Sequence, residues 1–229
     1  HAVNPSIVPR LPFDTEKAFA PITLIGKGPN VLVVRAESPY KTLEALIAAA
    51  RTQPGTLTYA SQGNGTSAHL AGEMFTNLAG LVITHVPYRG AGQAVNDLIA
   101  AHVKLASLGP TALMPHAQAG TVKLLAQSMA KRAPTLPNVP TFEEAGYKGL
   151  VLEAWYAAFV PHGTPAPIVA KLNEEMNKAL KDPKLVDTFT KGAIEPVGGP
   201  PDEIGKLAQA DSVKYAKLVK ELNIKVSAN

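Results

Sequence analysis

The sequence contains no cysteine among its 229 residues. This absence excludes disulfide bonds, thiolate catalysis and cysteine-ligated metal sites. Aromatic residues make up only 6% of the chain, too few for a surface on which nucleic-acid bases stack among Lys and Arg side chains. The apolar runs are short and are interrupted by Gly, Pro or charged residues, so no segment predicts a membrane-spanning helix.

Charge is also scarce and nearly balanced. Charged residues are 17% of the chain, and 22 Lys and Arg against 18 Asp and Glu give a formal net charge of +4. The basic residues are spread along the chain, which argues against a nucleic-acid partner and is compatible with a small anion. With 46% hydrophobic residues, the composition is that of a folded protein with one large domain or two small ones.

Strand-type and helix-type patterns alternate along most of the chain. Predicted strands cover residues 19–26, 30–35, 57–60, 82–86, 103–108, 122–126 and 154–160, and predicted helices cover residues 42–50, 66–78, 91–101, 111–119, 142–145, 165–180, 182–190 and 202–222. This alternation predicts an α/β fold with a mainly parallel sheet that is covered on both faces. Residues 155–229 hold mostly helices, so the strands that bury those helices must come from residues 1–30, a partner or sequence not present here.

The strongest local signal is a Gly-rich turn, residues 61–65, between a predicted strand and a predicted helix. A helix N-terminus exposes unpaired N–H groups, and its dipole favours a negative ligand. Gly63 and Gly65 allow close backbone approach, and Ser61, Thr66 and Ser67 offer hydroxyl groups. The sequence therefore predicts an anion site here. The alternative is that Thr66 or Ser67 only caps the helix and the glycines only form the turn.

A second polar loop, residues 88–90, follows the next predicted strand and should open at the same carboxyl edge of the sheet. Arg89 is able to pair with a carboxylate through two hydrogen bonds, and Tyr88 is able to donate its hydroxyl or to form the wall of a pocket. The alternatives are a solvated surface charge for Arg89 and a packed aromatic ring for Tyr88.

Catalytic and cofactor signals are weak. The pattern Gly63-x-Gly65-x-x-Ala68 loosely matches a dinucleotide fingerprint, which leaves a Rossmann-like nucleotide-binding enzyme as the alternative function. The carboxylate which that motif requires about 20 residues later is missing. His69 and Glu73 have a spacing that suits a metal ion, but no third ligand is apparent. We therefore predict no catalysis, no cofactor and no metal.

Eight runs of sequence, taken in order, carry a resemblance to a known family. They are His1-Ala-Val-Asn-Pro5, Phe19-Ala-Pro-Ile-Thr23, Asn30-Val-Leu-Val-Val34, the run from Tyr59 to Glu73, His85-Val-Pro-Tyr-Arg-Gly90, Leu136-Pro-Asn-Val-Pro-Thr141, Gly163-Thr-Pro-Ala-Pro167 and Glu195-Pro-Val-Gly-Gly199. Together they resemble the extracytoplasmic solute receptors of tripartite tricarboxylate transporters, also called Bug-type receptors.

The resemblance implies a periplasmic-binding-protein-like fold, with two α/β domains around a hinge. It implies a periplasmic receptor that captures a small carboxylate in an interdomain cleft and delivers it to a membrane permease. Residues 30–151 would form the second domain, and residues 1–29 and 152–229 the remaining part of a first domain that we expect to be incomplete. We expect an intact receptor to be a monomer, whereas self-association is possible for a shortened chain.

The resemblance and the anion chemistry predict one ligand-binding site. One group of residues would hold a carboxylate through backbone and hydroxyl donors: Ser61, Gly63, Asn64, Gly65, Thr66 and Ser67. A second group would orient it: His69, Tyr88, Arg89 and Gly90. Such receptors usually carry an acidic residue after the strand near Val103, but here the sequence continues Ala106-Ser-Leu-Gly-Pro110. This departure favours a simple carboxylate over an amino acid.

Overall fold

A computed structural model describes residues 2–8 and 10–224. The helices are α1 (Asn4–Ile7), α2 (Leu43–Thr52), α3 (Ser67–Leu78), α4 (Ala91–Ile99), α5 (Met114–Gln118), α6 (Ala166–Ala179), α7 (Pro183–Lys191) and α8 (Pro201–Glu221). The strands are β1 (Phe19–Pro29), β2 (Val31–Arg35), β3 (Thr58–Ser61), β4 (Thr84–Pro87), β5 (Leu105–Leu108), β6 (Val122–Gln127), β7 (Glu153–Pro161) and β8 (Glu195–Pro196). Within the described residues, no helix combines the length and the apolar character needed to cross a bilayer.

The chain folds as two compact units. Unit 1 comprises the described residues up to Lys27, Trp155–Thr190 and the described residues from Glu195 onward, and unit 2 comprises Gly28–Ala154 and Lys191–Ile194. The assignment of residues 30–151 and of the flanking segments to the two domains of a receptor stays a prediction.

Unit 2 is built on a five-stranded sheet with the order β4-β3-β5-β2-β6. Strand β3 pairs in parallel with β4 and β5, whereas β2 runs antiparallel to both β5 and β6. The predicted α/β alternation is present, but the sheet is mixed, with an antiparallel strand near its middle. The four consecutive apolar residues of β2, Val31–Val34, are all buried, as in any strand covered on both faces, and such a run does not encode strand direction.

Short-range signals explain where the unit 2 helices begin. The Thr42 hydroxyl accepts a hydrogen bond from the Ala45 N–H at the start of α2, as expected for an N-cap residue. Helix α3 buries Leu70, Met74 and Phe75, but Leu78, at its last position, is 48% exposed.

The short helix predicted at residues 142–145 is wrong, because this segment forms a single turn. Thr141 and Glu144 form a reciprocal capping box, with hydrogen bonds of 2.8 Å from the Thr141 N–H to Oε2 of Glu144 and 3.1 Å from the Glu144 N–H to Oγ1 of Thr141. Such a box starts a helix, but Gly146 has a φ of 93°. This left-handed conformation prevents the turn from continuing into a helix.

Unit 1 contains a three-stranded sheet with the order β7-β1-β8. Strand β1 lies in its centre and pairs antiparallel with β8. Residues 1–30 therefore supply a strand for the helices of residues 155–229, which is one of the three sources that the sequence predicts. Helix α8 buries Ile204, Tyr215 and Val219.

Candidate functional site

The candidate site lies at one edge of the unit 2 sheet. Because β3 and β4 are parallel, with Ser61 opposite Pro87, the Gly-rich turn and the loop of residues 88–90 leave the sheet side by side, as predicted. The Tyr88 N–H donates to the Ser61 carbonyl over 3.0 Å. The two predicted loops therefore form one continuous surface.

Two glycines set the path of the Gly-rich turn. Gly63 has a φ of 135° and Gly65 a φ of 72°, values that side chains with a Cβ rarely adopt. A Cβ on Gly63 would also lie 3.3 Å from the Tyr88 carbonyl oxygen. The turn then enters α3 through Thr66, whose Oγ1 accepts a hydrogen bond from the His69 N–H over 3.3 Å.

Several donors of the Gly-rich turn are already engaged inside the protein. The Gly65 N–H donates to Nδ1 of His69 over 3.1 Å, and the Thr66 N–H donates to the Gly63 carbonyl over 3.4 Å. Ser61 is fully buried, and its Oγ lies 2.7 Å from Nε2 of His85 and 3.2 Å from the Gly63 nitrogen. Two of the predicted ligand donors, the Gly65 amide and the Ser61 hydroxyl, thus have internal partners.

His69 is only 4% exposed and stacks on His85, with ring centroids 3.9 Å apart. Burial lowers the pKa of His69 to about 4. Burial, with a smaller contribution from the adjacent His69, lowers the pKa of His85 to about 3. Both rings are therefore neutral at pH 7. His69 is one of the ligand residues predicted from the sequence, whereas His85 is not among them.

Free backbone donors remain at the N-termini of two helices. At the start of α3, the N–H groups of Ser67 and Ala68 have no hydrogen-bond acceptor among the described residues, although Ala68 is fully buried. Gly90 is the N-cap of α4 and has no side chain to satisfy the first N–H groups of that helix. Helix N-termini carry partial positive charge. Both α3 and α4 therefore direct their positive ends toward this edge.

The second loop divides its polar groups between the protein and the solvent. The Tyr88 hydroxyl donates to Oδ2 of Asp97 over 2.7 Å, and desolvation together with this bond raises the pKa of Tyr88 to about 12. Arg89 is exposed, and its guanidinium has no hydrogen-bond or ion-pair partner within residues 2–8 and 10–224. Arg89 is thus available to an anion, whereas the Tyr88 hydroxyl is occupied.

The structure adds polar residues that the sequence analysis missed. Asn30 is 1% exposed, and its Oδ1 accepts a hydrogen bond from the Ser67 hydroxyl over 2.9 Å. Its Nδ2 donates to the Leu152 carbonyl over 3.3 Å, and its backbone N–H donates to Oγ of Ser128 over 2.9 Å. Asn30 precedes a strand and Ser128 follows one. A polar residue directly flanking a largely apolar strand is the signal that would have identified them.

Gln62 links the Gly-rich turn to a third loop. Its Oε1 accepts a hydrogen bond from the Gly109 N–H over 3.2 Å, and Gly109 directly follows β5. Because β5 is parallel to β3, its carboxyl end reaches the same edge of the sheet. Three consecutive loops therefore meet there.

All ten predicted site residues lie on this edge, but they fall into two groups. Seven of them have side chains or amides in internal hydrogen bonds: Ser61, Gly63, Gly65, Thr66, Ser67, His69 and Tyr88. The other three belong to the exposed or half-exposed surface of the turn and the loop: Asn64, Arg89 and Gly90. Contact of any of them with a ligand stays a prediction.

Comparison with known sequences gives consistent matches over nearly the whole chain. A family model described as tripartite tricarboxylate transporter family receptor matches residues 1–224. A Pseudomonas sp. protein from the tcbD-tcbE intergenic region is 37% identical over 217 residues, which are 94% of this chain and 65% of that protein. BugT of Bordetella pertussis is 32% identical over 225 residues, which are 98% of this chain and 69% of BugT. The chain thus spans about two thirds of the length of these relatives.

Solved structures match the fold closely. Rpa4515 of R. palustris, solved with adipate, has a TM-score of 0.94 at 32% identity, over 98% of this chain and 75% of that chain. The periplasmic binding protein BugD has a TM-score of 0.90 at 28% identity, over 98% of this chain and 76% of BugD. MatC from Rhodopseudomonas palustris, with bound malate, has a TM-score of 0.86 at 27% identity, over 95% of this chain and 75% of MatC. The prediction of a periplasmic-binding-protein-like α/β fold is confirmed.

Proposed function

The chain belongs to the tripartite tricarboxylate transporter receptor family, as its sequence motifs predicted, and we propose that it binds a small carboxylate without converting it. The observation that carries this proposal is the convergence, at one sheet edge, of the N-termini of α3 and α4 with Arg89, whose guanidinium has no partner among the described residues. Such an edge attracts negative charge through both backbone dipoles and a full positive charge.

We assign direct contacts to the groups that have no internal partner. The backbone amides of Asn64 and Ser67 would donate to one carboxylate oxygen, and the amides following Gly90 at the start of α4 would donate to another. Arg89 would supply the charged hydrogen bond. Gly63, with its positive φ, would allow the ligand to approach the backbone closely.

The remaining predicted residues receive a supporting role in this proposal. Ser61, Gly65, Thr66 and His69 hold the shape of the turn through hydrogen bonds to one another and to His85. Tyr88 fixes its loop through Asp97. Direct ligand contact by the Ser61 hydroxyl would require it to leave His85, from which it is 2.7 Å away.

Dicarboxylates are the first ligands to test. Rpa4515 was solved with adipate and MatC with malate. The loop after β5 carries no acidic side chain at Gly109, Pro110 or Thr111. A ligand ammonium group would therefore lack a counter-charge in that loop. This supports a plain carboxylate over an amino acid.

We further propose that the protein works in the periplasm and passes its ligand to a membrane permease. The family description names a transporter receptor, and the neighbour BugD is a periplasmic binding protein. Fractionation of the source bacterium tests the location, because a periplasmic receptor is released by osmotic shock together with other periplasmic proteins. Recovery in the cytoplasmic fraction would contradict it.

A thermal-shift panel followed by calorimetry tests the binding proposal. Adipate and malate should raise the melting temperature, because a ligand that binds only the folded state stabilises it. Nucleotides should have no effect. Stabilisation by a nucleotide and by none of the carboxylates would favour the nucleotide-binding alternative instead.

Arg89→Ala should weaken the binding of the stabilising carboxylate by about 1.5–3 kcal/mol, the range for a hydrogen bond to a charged group. Arg35→Ala is the matched control. Arg35 lies at the opposite edge of the same sheet, opposite Val122, and pairs with Glu37. Equal affinities for both variants and the unmodified protein would remove Arg89 from the site.

A further inference from the structure

Two histidines, the buried His69 and the half-buried His85, lie stacked directly behind the Gly-rich turn. His69 is in the first turn of α3 and His85 is in β4, and their rings are 3.9 Å apart with an angle of 17° between planes. We propose that His69 and His85 are positioning residues, which as a neutral pair hold the two glycines of the turn in the conformation that receives the carboxylate. This inference rests on the proposed function.

His69 controls Gly65. Its Nδ1 accepts the Gly65 N–H over 3.1 Å, so Nδ1 must carry a lone pair and the ring proton must be on Nε2. Nε2 faces Oε1 of Glu73 at 3.8 Å, and this carboxylate favours a proton on the nitrogen that faces it. The bond from Gly65 fixes the plane of the peptide that joins Asn64 to Gly65.

His85 controls Gly63 through Ser61. Nε2 of His85 lies 2.7 Å from the Ser61 hydroxyl oxygen, which also accepts the Gly63 N–H over 3.2 Å. The Ser61 hydroxyl has one proton, so it donates either to His85 or to the Gly63 carbonyl. In both arrangements His85, Ser61 and Gly63 form one hydrogen-bonded chain. Each histidine thus anchors one glycine of the turn.

The surroundings keep the pair in its neutral form. Tyr59 lies next to His85 with ring centroids 4.9 Å apart, and its hydroxyl donates to Oε1 of Glu73 over 2.6 Å. Glu73 is therefore engaged by Tyr59 and lies beyond hydrogen-bond distance of His69. A proton added to Nδ1 of His69 would face the Gly65 N–H, so that two donors would point at each other.

Simple core packing is the competing explanation, and it makes a different prediction. If the rings only fill space, an apolar side chain of similar size should serve as well as a side chain with an acceptor. If His69 positions Gly65, the acceptor at Nδ1 is what counts. Asn places its carbonyl oxygen near the position of Nδ1, whereas Leu fills the volume without an acceptor.

The test compares His69→Asn with His69→Leu in the full chain. Amide hydrogen exchange of Gly65 is measured by NMR without ligand, and the Kd for adipate and for malate is measured by calorimetry at pH 7. We expect His69→Asn to keep Gly65 protected and to bind within about threefold of the unmodified protein. We expect His69→Leu to exchange at Gly65 at least about tenfold faster and to bind at least about tenfold more weakly. Equal protection and affinity in the two variants would overturn the inference.

His85 is tested in the same way. Gln places its amide near the position of Nε2 and should preserve the bond to Ser61, whereas Leu should not. His85→Gln should therefore retain affinity and protection of the Gly63 amide, and His85→Leu should lose both. Equal protection of the Gly63 amide and equal affinity in His85→Gln and His85→Leu would overturn the positioning role of His85.

A measurement on the unmodified protein separates this inference from the proposed function. The 15N shifts of the His69 ring at pH 7 should show a bare Nδ1 and a protonated Nε2; the opposite tautomer would refute the role of His69. If the unmodified protein binds no carboxylate but shows this tautomer and a protected Gly65, the proposed ligand is wrong and the control of the turn by His69 stands. If carboxylates bind and His69→Leu binds them equally well, only the positioning role fails.

Discussion

At the scale of single residues, Thr15 of unit 1 shows that the contribution of a buried hydroxyl to stability depends on its hydrogen-bond partner. Thr15 is 7% exposed, and its Oγ1 is the buried side-chain oxygen that lacks a hydrogen-bond partner among the described residues. It lines a cavity of about 370 Å³ that is also lined by Phe19 and Phe159. Thr23 is fully buried too, but its hydroxyl donates to the Gly199 carbonyl over 3.0 Å.

Thr15→Val should therefore stabilise the protein by about 1 kcal/mol, because it replaces an unpaired buried hydroxyl with a methyl group of similar shape. Thr23→Val should have the opposite sign and cost about 1 kcal/mol, because it removes a satisfied hydroxyl. Urea denaturation of both variants measures the two free energies of unfolding. Destabilisation by Thr15→Val would mean that its hydroxyl has a partner in solution.

Single glycines are also important at this scale, and the surroundings of each glycine show whether it is needed for its backbone conformation or for a close contact. Gly63 and Gly65 are required for their positive φ values of 135° and 72°. Gly72 has a helical backbone inside α3, where the sequence gives no reason for a glycine. The reason is a contact between two elements.

At the scale of elements, α3 packs on β3 through Gly72 and Tyr59. A Cβ on Gly72 would lie 2.4 Å from a ring carbon of Tyr59 and 2.9 Å from its hydroxyl oxygen. Tyr59 is 1% exposed and donates to Glu73 on the same helix. The small residue thus allows the ring to lie against the helix backbone, in contact with His85.

Gly72→Ala should destabilise the protein by about 1–3 kcal/mol, because the overlap with Tyr59 outweighs the helix propensity of Ala. Gly92→Ala on α4 is the matched control, since a Cβ there meets nothing within 4 Å. It should stabilise by about 0.5–1 kcal/mol. Denaturant unfolding in the absence of ligand measures both, and stabilisation by both changes would contradict the close contact.

At the scale of the whole molecule, the chain divides into a unit with a five-stranded mixed sheet and a unit with a three-stranded sheet. The ten predicted site residues belong to the first of these. The family, the α/β class and the edge of the sheet that carries the two loops agree with the sequence analysis.

The stability of the protein should depend on pH through the stacked pair of His69 and His85. An unfolded histidine has a pKa of about 6.5, whereas burial lowers the pKa of His69 to about 4 and that of His85 to about 3. Below pH 6.5 the unfolded chain therefore binds more protons than the folded chain, and the free energy of unfolding falls as the pH falls. Tyr59 and Glu73 face the pair, and the Tyr59 pKa is raised by burial.

Urea denaturation should show a nearly constant free energy of unfolding near pH 7–8 and a loss of about 2 kcal/mol or more by pH 4. The double variant with His69→Asn and His85→Gln should have a flatter profile, because both titrating groups are gone. An identical slope in the two proteins would show that other groups, such as carboxylates, control acid unfolding.

The sequence by itself determined the elements and the chemistry of the loops. Hydrophobic periodicity in α3 and the buried run of β2 identify those elements, because burial imposes its pattern on consecutive residues. The glycines of residues 61–65 and the Thr66 cap locate the turn, because their backbone needs are local. The capping box at Thr141 and Glu144 is equally local, yet it is followed by a single turn and not by a helix, because Gly146 has a positive φ.

Only the tertiary structure decided which donors of the turn face inward. The direction of β2, the stacking of His69 on His85 and the bonds from Asn30 to Ser67 and Ser128 all join residues far apart in sequence. No local pattern encodes such partners, because strand direction and side-chain hydrogen bonds are settled when distant segments pair. The same long-range pairing leaves Arg89 at the surface and places His69 behind the turn.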